Sequence, residues 1–176
     1  MIRCIFLFLS TAITLAAAFS TSGITIGIAD IPNDLSAIQA CRRTAYEGQN
    51  NLLSAAKSFC NADQITREGY VCAIAKSKDG KVIGTADLNT RTGIVNNVYV
   101  VKEARKQGIG KLLMETVENV LDKPATLKLT VYSSNKPAVN LYQKLGFTAP
   151  GIYSGLLGLS SATSMNFLLE MEKKLN

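Results

Sequence analysis

The residues with the clearest capacity for chemistry lie in one run, VYVVKEARKQGIGKLL, from Val98 to Leu113. Val98, Tyr99, Val100 and Val101 are β-branched or aromatic and read as a strand. From Gly108 onward, Ile109, Leu112, Leu113, Val117, Val120 and Leu121 recur at three- and four-residue steps, so a helix with one buried face opens inside the glycine loop. A helix N-terminus leaves backbone N–H groups unpaired and carries about half a positive charge, which attracts anions. Gly108 and Gly110, lacking a Cβ, would let a bulky diphosphate approach those groups. Lys102, Arg105, Lys106 and Lys111 add positive charge, with Glu103 the one acid among them.

Two other glycine loops do not fit. A P-loop would need Gly where Arg105 stands and Ser or Thr where Leu112 stands. A dinucleotide fingerprint would need Gly or Ala in place of Leu113.

A second run, LKLTVYSSNKPAVNLYQKLGF from Leu127 to Phe147, reads as strand, loop, helix and glycine stop. Leu127, Leu129 and Val131 alternate with Lys128, Thr130 and Tyr132 in the period of a half-buried strand. Ser134 or Asn135 can cap the helix, Pro137 lies in its first turn, and Gly146 follows it. Ala138 and Tyr142, four apart, share one helical face.

The loop Arg105-Lys106-Gln107-Gly108-Ile109-Gly110, set between a strand and a helix, resembles the acetyl-CoA loop of the GNAT N-acetyltransferases, and the second run resembles the same family's second motif. The resemblance implies that Asn135 holds the pantetheine arm, that Ala138 gives the cofactor room, and that Tyr142 is the general acid, followed by Lys144 and the pair Gly146-Phe147. It implies further that Val98, Tyr99 and Val100 lie along the pantetheine, while Arg105 through Lys111 hold the pyrophosphate. The implied fold is a mixed α/β one: a central twisted, mostly antiparallel sheet flanked by helices, whose fourth and fifth strands splay apart. Read without the family, Tyr142 would be a core aromatic beside Leu141 and Leu145, and Asn135 a plain helix cap.

The chemistry so implied is N-acetyl transfer by direct attack of a neutral amine on the thioester. The oxyanion needs a preorganised donor, for which the backbone N–H of Val100 is the candidate. Tyr142 would protonate the leaving thiolate. For the base, Asp87, Glu68 and Glu47 are candidates, each also readable as a solvated surface acid; Asn96 and Asn97 stand where some relatives carry Glu, which leaves a water chain as the other route. The acceptor is expected to be a protein N-terminus or lysine. A small-molecule amine, or a non-catalytic acyl-CoA-binding module, is the alternative.

Around the motifs, Ile24 to Ala29 reads as a first strand, and a helix starts at Pro32-Asn33-Asp34 and runs to about Tyr46. Leu52 to Cys60 reads as a second helix, Tyr70–Lys76 and Val82–Asn89 as a hairpin through Asp79-Gly80, Gly93 to Val101 as the fourth strand, and Met165 to Leu175 as the last. The family's acceptor groove would lie between the link Glu47 to Asn51 and the apolar, glycine-rich segment Ile152 to Ala162, which reads as a lid, a partner surface or an ordinary buried turn.

Composition sets bounds. A chain of 176 residues, 47% apolar and 18% charged, suits one globular domain. The charge of +6 fits anionic ligands, but it is spread along the chain without aromatic interleaving, so no nucleic-acid partner is expected. With no histidine, Ser-His and Cys-His nucleophiles are excluded, and the four cysteines lack paired spacing, so no metal is expected. A monomer or homodimer would serve this chemistry.

The N-terminus reads as a separate module. Residues 1–18 carry Arg3, an apolar run from Ile5 to Leu15 too short for a comfortable span, and Ala16-Ala17-Ala18, together a cleavable signal peptide. Residues 19–23 would be a short leader remnant or linker, and residues 24–176 the acetyltransferase domain. The Ala18-Phe19 junction resembles two-part leaders of secondary-plastid algae, which implies the secretory route and then a plastid. The alternatives are the ER lumen or secretion, or membrane tethering by an uncleaved leader. Without Cys4 three cysteines remain, and no N-x-S/T site occurs, so neither a full disulfide framework nor glycosylation marks the chain as extracellular.

Overall fold

A computed structural model describes residues 19–21, 23–46, 63–149 and 168–176. Its strands are β1 Phe19–Thr21, β2 Ile24–Ile28, β3 Tyr70–Lys76, β4 Val82–Asn89, β5 Ile94–Val100, β6 Ala125–Tyr132 and β7 Leu168–Leu175. The helices described are α1 Leu35–Arg43, α2 Ile109–Glu118 and α3 Lys136–Lys144, with 3-10 turns at Thr44–Tyr46, Asp63–Thr66 and Lys102–Ala104. All seven strands form one sheet in chain order, antiparallel throughout except between β5 and β6. This is the mixed, mostly antiparallel sheet expected from the sequence.

Helices cover both faces of the sheet centre, which is why β4 is buried from Val82 to Leu88 rather than alternating. On one face α2 lies over Gly84, where an added Cβ would meet Leu113 Cδ1 at 3.0 Å and Ile109 Cγ2 at 3.3 Å. The other face carries Thr85 and Asp87, which meet Arg42 of α1. Along α2, Ile109, Leu113, Met114 and Val117 are buried at the spacing the sequence shows. Each such side chain contributes roughly 1.5–3 kcal/mol when fully removed from water.

Several boundaries shift. Phe19–Thr21, read from sequence as leader remnant or linker, pairs antiparallel with Ile24–Ile26 as β1. Helix α1 begins at Leu35 and tightens into 3-10 geometry at Thr44, and α2 ends at Glu118 rather than near Leu121. The expected signal peptide, the helix from Leu52 to Cys60, the Glu47–Asn51 link and the segment from Ile152 to Ala162 lie outside the described residues.

The feature that positions the site is the divergence of β5 from β6. They share one register pair, Ile94↔Lys128, where the Lys128 N–H donates to Gly93 O at 2.9 Å. Beyond it, β5 stays with β4 and β6 stays with β7 from Ala125↔Leu175 to Tyr132↔Leu168. Gly93, at φ +69°, pins the point of contact, since a Cβ there would overlap the Thr126 carbonyl oxygen. The splay expected for the strands at Gly93–Val101 and Leu127–Val131 is therefore present, opening toward Val100.

Candidate active site

The wall of this cleft is the free edge of β5. A β-bulge interrupts the β4–β5 ladder, because the register passes from Asp87↔Asn96 to Thr85↔Tyr99 and leaves Asn97 and Val98 opposite Ala86. Asn97 takes a left-handed conformation, φ 51°, which Asn tolerates better than most residues. Past the bulge, the Val101 N–H donates to Ile83 O at 2.9 Å. Antiparallel ladders alternate hydrogen-bonded and non-hydrogen-bonded pairs, so the neighbouring Val100↔Gly84 pair is non-bonded and the Val100 N–H points away from β4, into the cleft.

At the open end of the cleft, the chain turns through Lys102–Ala104 into the glycine loop. Lys106 at φ 63° and Gly108 at φ +79° both adopt left-handed backbone, and Gly108 forms the N-cap of α2. Among the described residues, none of the backbone N–H groups from Lys106 to Lys111 has a backbone acceptor. They form an unpaired donor array at a helix N-terminus, with the side chains of Lys106 and Lys111 exposed beside it. Open space surrounds the Cβ position of Gly108, so that glycine serves conformation and leaves room for a ligand.

Gly110 does something else. A Cβ there would stand 3.0 Å from Leu141 Cδ2, so the missing side chain lets α2 approach α3, while its backbone N–H remains part of the donor array. Arg105 is exposed and tied back to β5 through one of its guanidinium nitrogens. Its Nε donates to Val100 O at 3.0 Å and its guanidinium lies 5.9 Å from the Tyr99 ring centroid, which latches the loop back onto β5. Tyr99 in turn shares a 2.9 Å hydrogen bond with Thr44 beyond α1. Gln107 reaches the Glu103 carbonyl at 3.4 Å, and Lys111 pairs with Glu115 at 3.5 Å on the exposed face of α2.

The second motif is assembled by α3. Asn135 is its N-cap, accepting from the Ala138 N–H at 3.4 Å through its side-chain oxygen, and it is exposed, so its amide N–H₂ faces solvent. Ala138 is half-buried and Lys144 exposed. Tyr142 is 6% exposed and its ring packs 5.9 Å from Phe147, centroid to centroid. Burial pushes its phenol up to about 12, above the ordinary tyrosine value of about 10. It keeps its proton at neutral pH and so has an O–H to donate.

The base candidates fare differently. Asp87 is 1% exposed; one carboxylate oxygen pairs with Arg42 and the other accepts from the Asn97 amide at 2.7 Å. With both oxygens engaged and no exposure, it is built to hold its neighbours rather than to take a proton from a substrate, so the expectation of Asp87 as base is replaced by a structural one. Glu68 is exposed and pairs with Arg91 at 3.0 Å, beside the β4–β5 turn and so at the far end of β5 from Val100, roughly 20 Å away at strand rise. Glu47 lies outside the described residues. Burial also raises the thiols, Cys41 to about 11 and Cys72 further, so neither is a thiolate nucleophile. No cluster of metal-ligating residues occurs among the described residues.

Sequence reasoning missed Arg42 and Thr85, and it did not foresee the bulge at Asn97 or the close approach at Gly93. Arg42 lies in α1, 4% exposed, donating to Thr85 Oγ1 at 3.3 Å and pairing with Asp87; in a helical pattern such a residue reads as a solvated charge. The one available signal for Asn97 was an Asn inside a β-branched run.

The arrangement fits a long, polar-jointed thioester ligand: a donor array for a diphosphate at the α2 N-terminus, a strand edge for amide pairing, an inward N–H at Val100 for a carbonyl oxygen, and a buried phenol on the neighbouring helix. The acetyltransferase (GNAT) family model matches residues 36–147. The chain is 36% identical over 70 residues to the peptidyl-lysine N-acetyltransferase YiaC of Escherichia coli, covering 40% of this chain and 45% of that protein. It is 38% identical over 71 residues to NAA20, catalytic subunit of the N-terminal acetyltransferase B complex of Arabidopsis thaliana, covering 39% of this chain and 40% of that one. The matched stretch thus spans less than half of either curated relative. Among solved structures, the ribosomal-protein-S18-alanine N-acetyltransferase of Escherichia coli superposes with a TM-score of 0.63 at 22% identity over 87% of this chain and 94% of that one. A phosphinothricin acetyltransferase from Sinorhizobium meliloti in complex with acetyl-CoA gives 0.61 at 20% identity, over 88% and 89%. These structural likenesses establish the fold.

Proposed function

This chain belongs to the acetyltransferase (GNAT) family, and from that premise we propose that it transfers an acetyl group from acetyl-CoA to a primary amine of a protein, an N-terminus or a lysine. The observation that carries the reading is the cleft between β5 and β6, with the Val100 N–H aimed into it, the donor array of Lys106 to Lys111 at its mouth and Tyr142 on the adjoining α3.

Acetyl-CoA supplies an activated acyl group with a thiolate leaving group. The loop amides from Lys106 to Lys111 bind its diphosphate, and the β5 edge from Val98 to Val100 pairs with its arm. Asn135 offers its free side-chain N–H₂ to the same arm while its oxygen caps α3. As the amine nitrogen bonds to the acyl carbon, the Val100 N–H stabilises the negative charge gathering on the carbonyl oxygen. The C–S bond then breaks, Tyr142 donates to the departing sulfur, and the proton shed by the amine leaves through water. A phenol held near 12 donates a hydrogen bond to a thiolate readily but surrenders its proton uphill, an ordinary thiol having a pKa of about 8.5. The main contribution of Tyr142 is thus charge stabilisation at sulfur.

The acceptor assignment draws support from the two curated relatives, one named for peptidyl-lysine and one for protein N-termini. Incubation with acetyl-CoA and a proteome-derived peptide library, read by mass spectrometry beside a panel of small amines, tests it. Acetylated peptides are expected; turnover on small amines alone would move the acceptor class, and no turnover would leave an acyl-CoA-binding module. The proposed leader is tested by sequencing the mature N-terminus, with Phe19, where β1 starts, as the expected first residue before any transit trimming, and the plastid route by a fluorescent fusion to residues 1–30, for which a purely cytosolic signal would count against it.

A further inference from the structure

The β5 bulge decides which way the Val100 N–H points. Without the extra residue, the register Asp87↔Asn96 would continue and set Val100 opposite Ile83. Ile83 is the residue whose carbonyl accepts from the Val101 N–H across the β4–β5 ladder. A one-residue slip would therefore spend the Val100 N–H inside the sheet and leave none in the cleft.

The bulge residue is gripped from two sides by buried groups of the adjacent strand. The Asn97 side-chain amide donates to Asp87 Oδ2 at 2.7 Å, and the Thr85 hydroxyl donates to Asn97 O at 3.0 Å. Thr85 is 0% and Asp87 1% exposed. Both are fixed in turn by one guanidinium: Arg42 Nε donates to Thr85 Oγ1 at 3.3 Å, and Arg42 Nη2 pairs with Asp87 Oδ1. A buried pair of this kind adds little net stability against an apolar equivalent, and a fixed local geometry is what such a pair can supply.

We propose that Arg42, Thr85 and Asp87 are positioning residues that clamp Asn97 in its left-handed bulge and so aim the Val100 N–H at the reacting carbonyl. The inference rests on the acetyltransferase reading for its catalytic consequence, though not for its structural one.

Thr85 offers the cleanest test, since Thr85→Val keeps the shape and removes the hydroxyl while Thr85→Ser keeps the hydroxyl. Thr85→Val is expected to lower kcat about tenfold, a fraction of the loss from deleting an oxyanion donor outright. Acetyl-CoA affinity by calorimetry should stay within about twofold, because the diphosphate array is untouched, and Thr85→Ser should restore kcat to within about twofold of wild type. An unchanged kcat in Thr85→Val, or equal impairment in both variants, overturns the proposal. Asn97→Gly gives a second route if Thr85→Val does not fold: glycine accepts the backbone conformation but drops the Asp87 bond, and kcat should fall similarly, with wild-type kcat counting against the clamp. Amide hydrogen exchange without cofactor reads the geometry directly. Val101 should be protected and Val100 fast in wild type, with Val101 losing protection in Thr85→Val; unaltered exchange would overturn the clamp. If wild type neither binds nor turns over acetyl-CoA, the acetyltransferase reading fails while the exchange result still decides the clamp.

Discussion

Gly110 of α2 and Leu141 of α3 meet where the two site-building helices cross: the Cβ that Gly110 lacks would stand 3.0 Å from Leu141 Cδ2. Leu141 is the chain neighbour of Tyr142, and Gly110 lies two residues past the N-cap that opens the donor array. The missing side chain at this crossing lets the N-terminus of α2, with its donor array, lie close to the helix that carries Tyr142. Gly110→Val should push α3 outward. Overpacking of this kind costs about 1–3 kcal/mol, which outweighs the helix propensity regained on losing glycine. Urea unfolding is expected to show that loss together with a several-fold fall in kcat, and wild-type stability would mean that α2 and α3 adjust freely.

Gly108 is a glycine for the other reason. Its φ of +79° is strained for any residue with a Cβ, and nothing stands within 4 Å of the Cβ position, so the penalty is conformational rather than steric. Moving an L-residue into left-handed backbone costs about 1–2 kcal/mol, or roughly a five- to thirtyfold loss of affinity if the loop must be forced into shape on binding. Gly108→Val, being β-branched, should lie at or beyond the upper end, and Gly108→Asn near the lower. Calorimetry with acetyl-CoA distinguishes them, and equal affinity for both would show that the loop needs no left-handed residue there.

How much of this was legible in the sequence depends on the range over which each feature is encoded. The alternation of Leu127, Leu129 and Val131 gave β6 with those three buried, and the helical spacing from Ile109 gave the buried face of α2, because both patterns are local. Asn135 and Tyr142 were singled out only through a resemblance; the structure makes Asn135 the N-cap of α3 and buries Tyr142 within that helix. Arg42 and Asp87 were not, since their partnership joins residues far apart in the chain, and each alone looks like a surface charge. For Gly110 only one of glycine's two uses was legible: spacing shows that a side chain is missing, but not that a neighbouring helix, here through Leu141, occupies the gap. The Asn97 bulge escaped because two asparagines inside a β-branched run mark an irregularity without saying which way it turns the strand's N–H groups.

Tyr142→Phe separates binding from chemistry. The ring packs in the same place beside Phe147, so fold and acetyl-CoA affinity should hold to within about twofold, while kcat drops on the order of a hundredfold, the low end for removing one hydrogen-bond donor to developing charge. The pH profile carries a second check. Burial raises the phenol to about 12, so its neutral, donating form persists upward through the range in which an amine acceptor loses its proton. The wild-type rate should climb with pH and still be flat or rising at about pH 10, where an unperturbed tyrosine would be half ionised. A descending limb centred near 10 that vanishes in Tyr142→Phe would show that burial does not hold the phenol up.

Gly93 tests the hinge from which the cleft opens. It combines a φ of +69° with a backbone approach that leaves no room for a Cβ against the Thr126 carbonyl, so even alanine cannot enter without separating β5 from β6. The Lys128 N–H bond to Gly93 O, 2.9 Å long, lies at the same point and would be strained or lost with it. Left-handed strain of about 1–2 kcal/mol and a lost backbone hydrogen bond of about 1 kcal/mol add to the steric displacement, so Gly93→Ala should destabilise by roughly 2–4 kcal/mol. Amide exchange would place the damage at Lys128 and the start of β5, with the glycine loop unaffected. A variant with wild-type unfolding and protection would mean that the two half-sheets are held at their junction by something other than this contact.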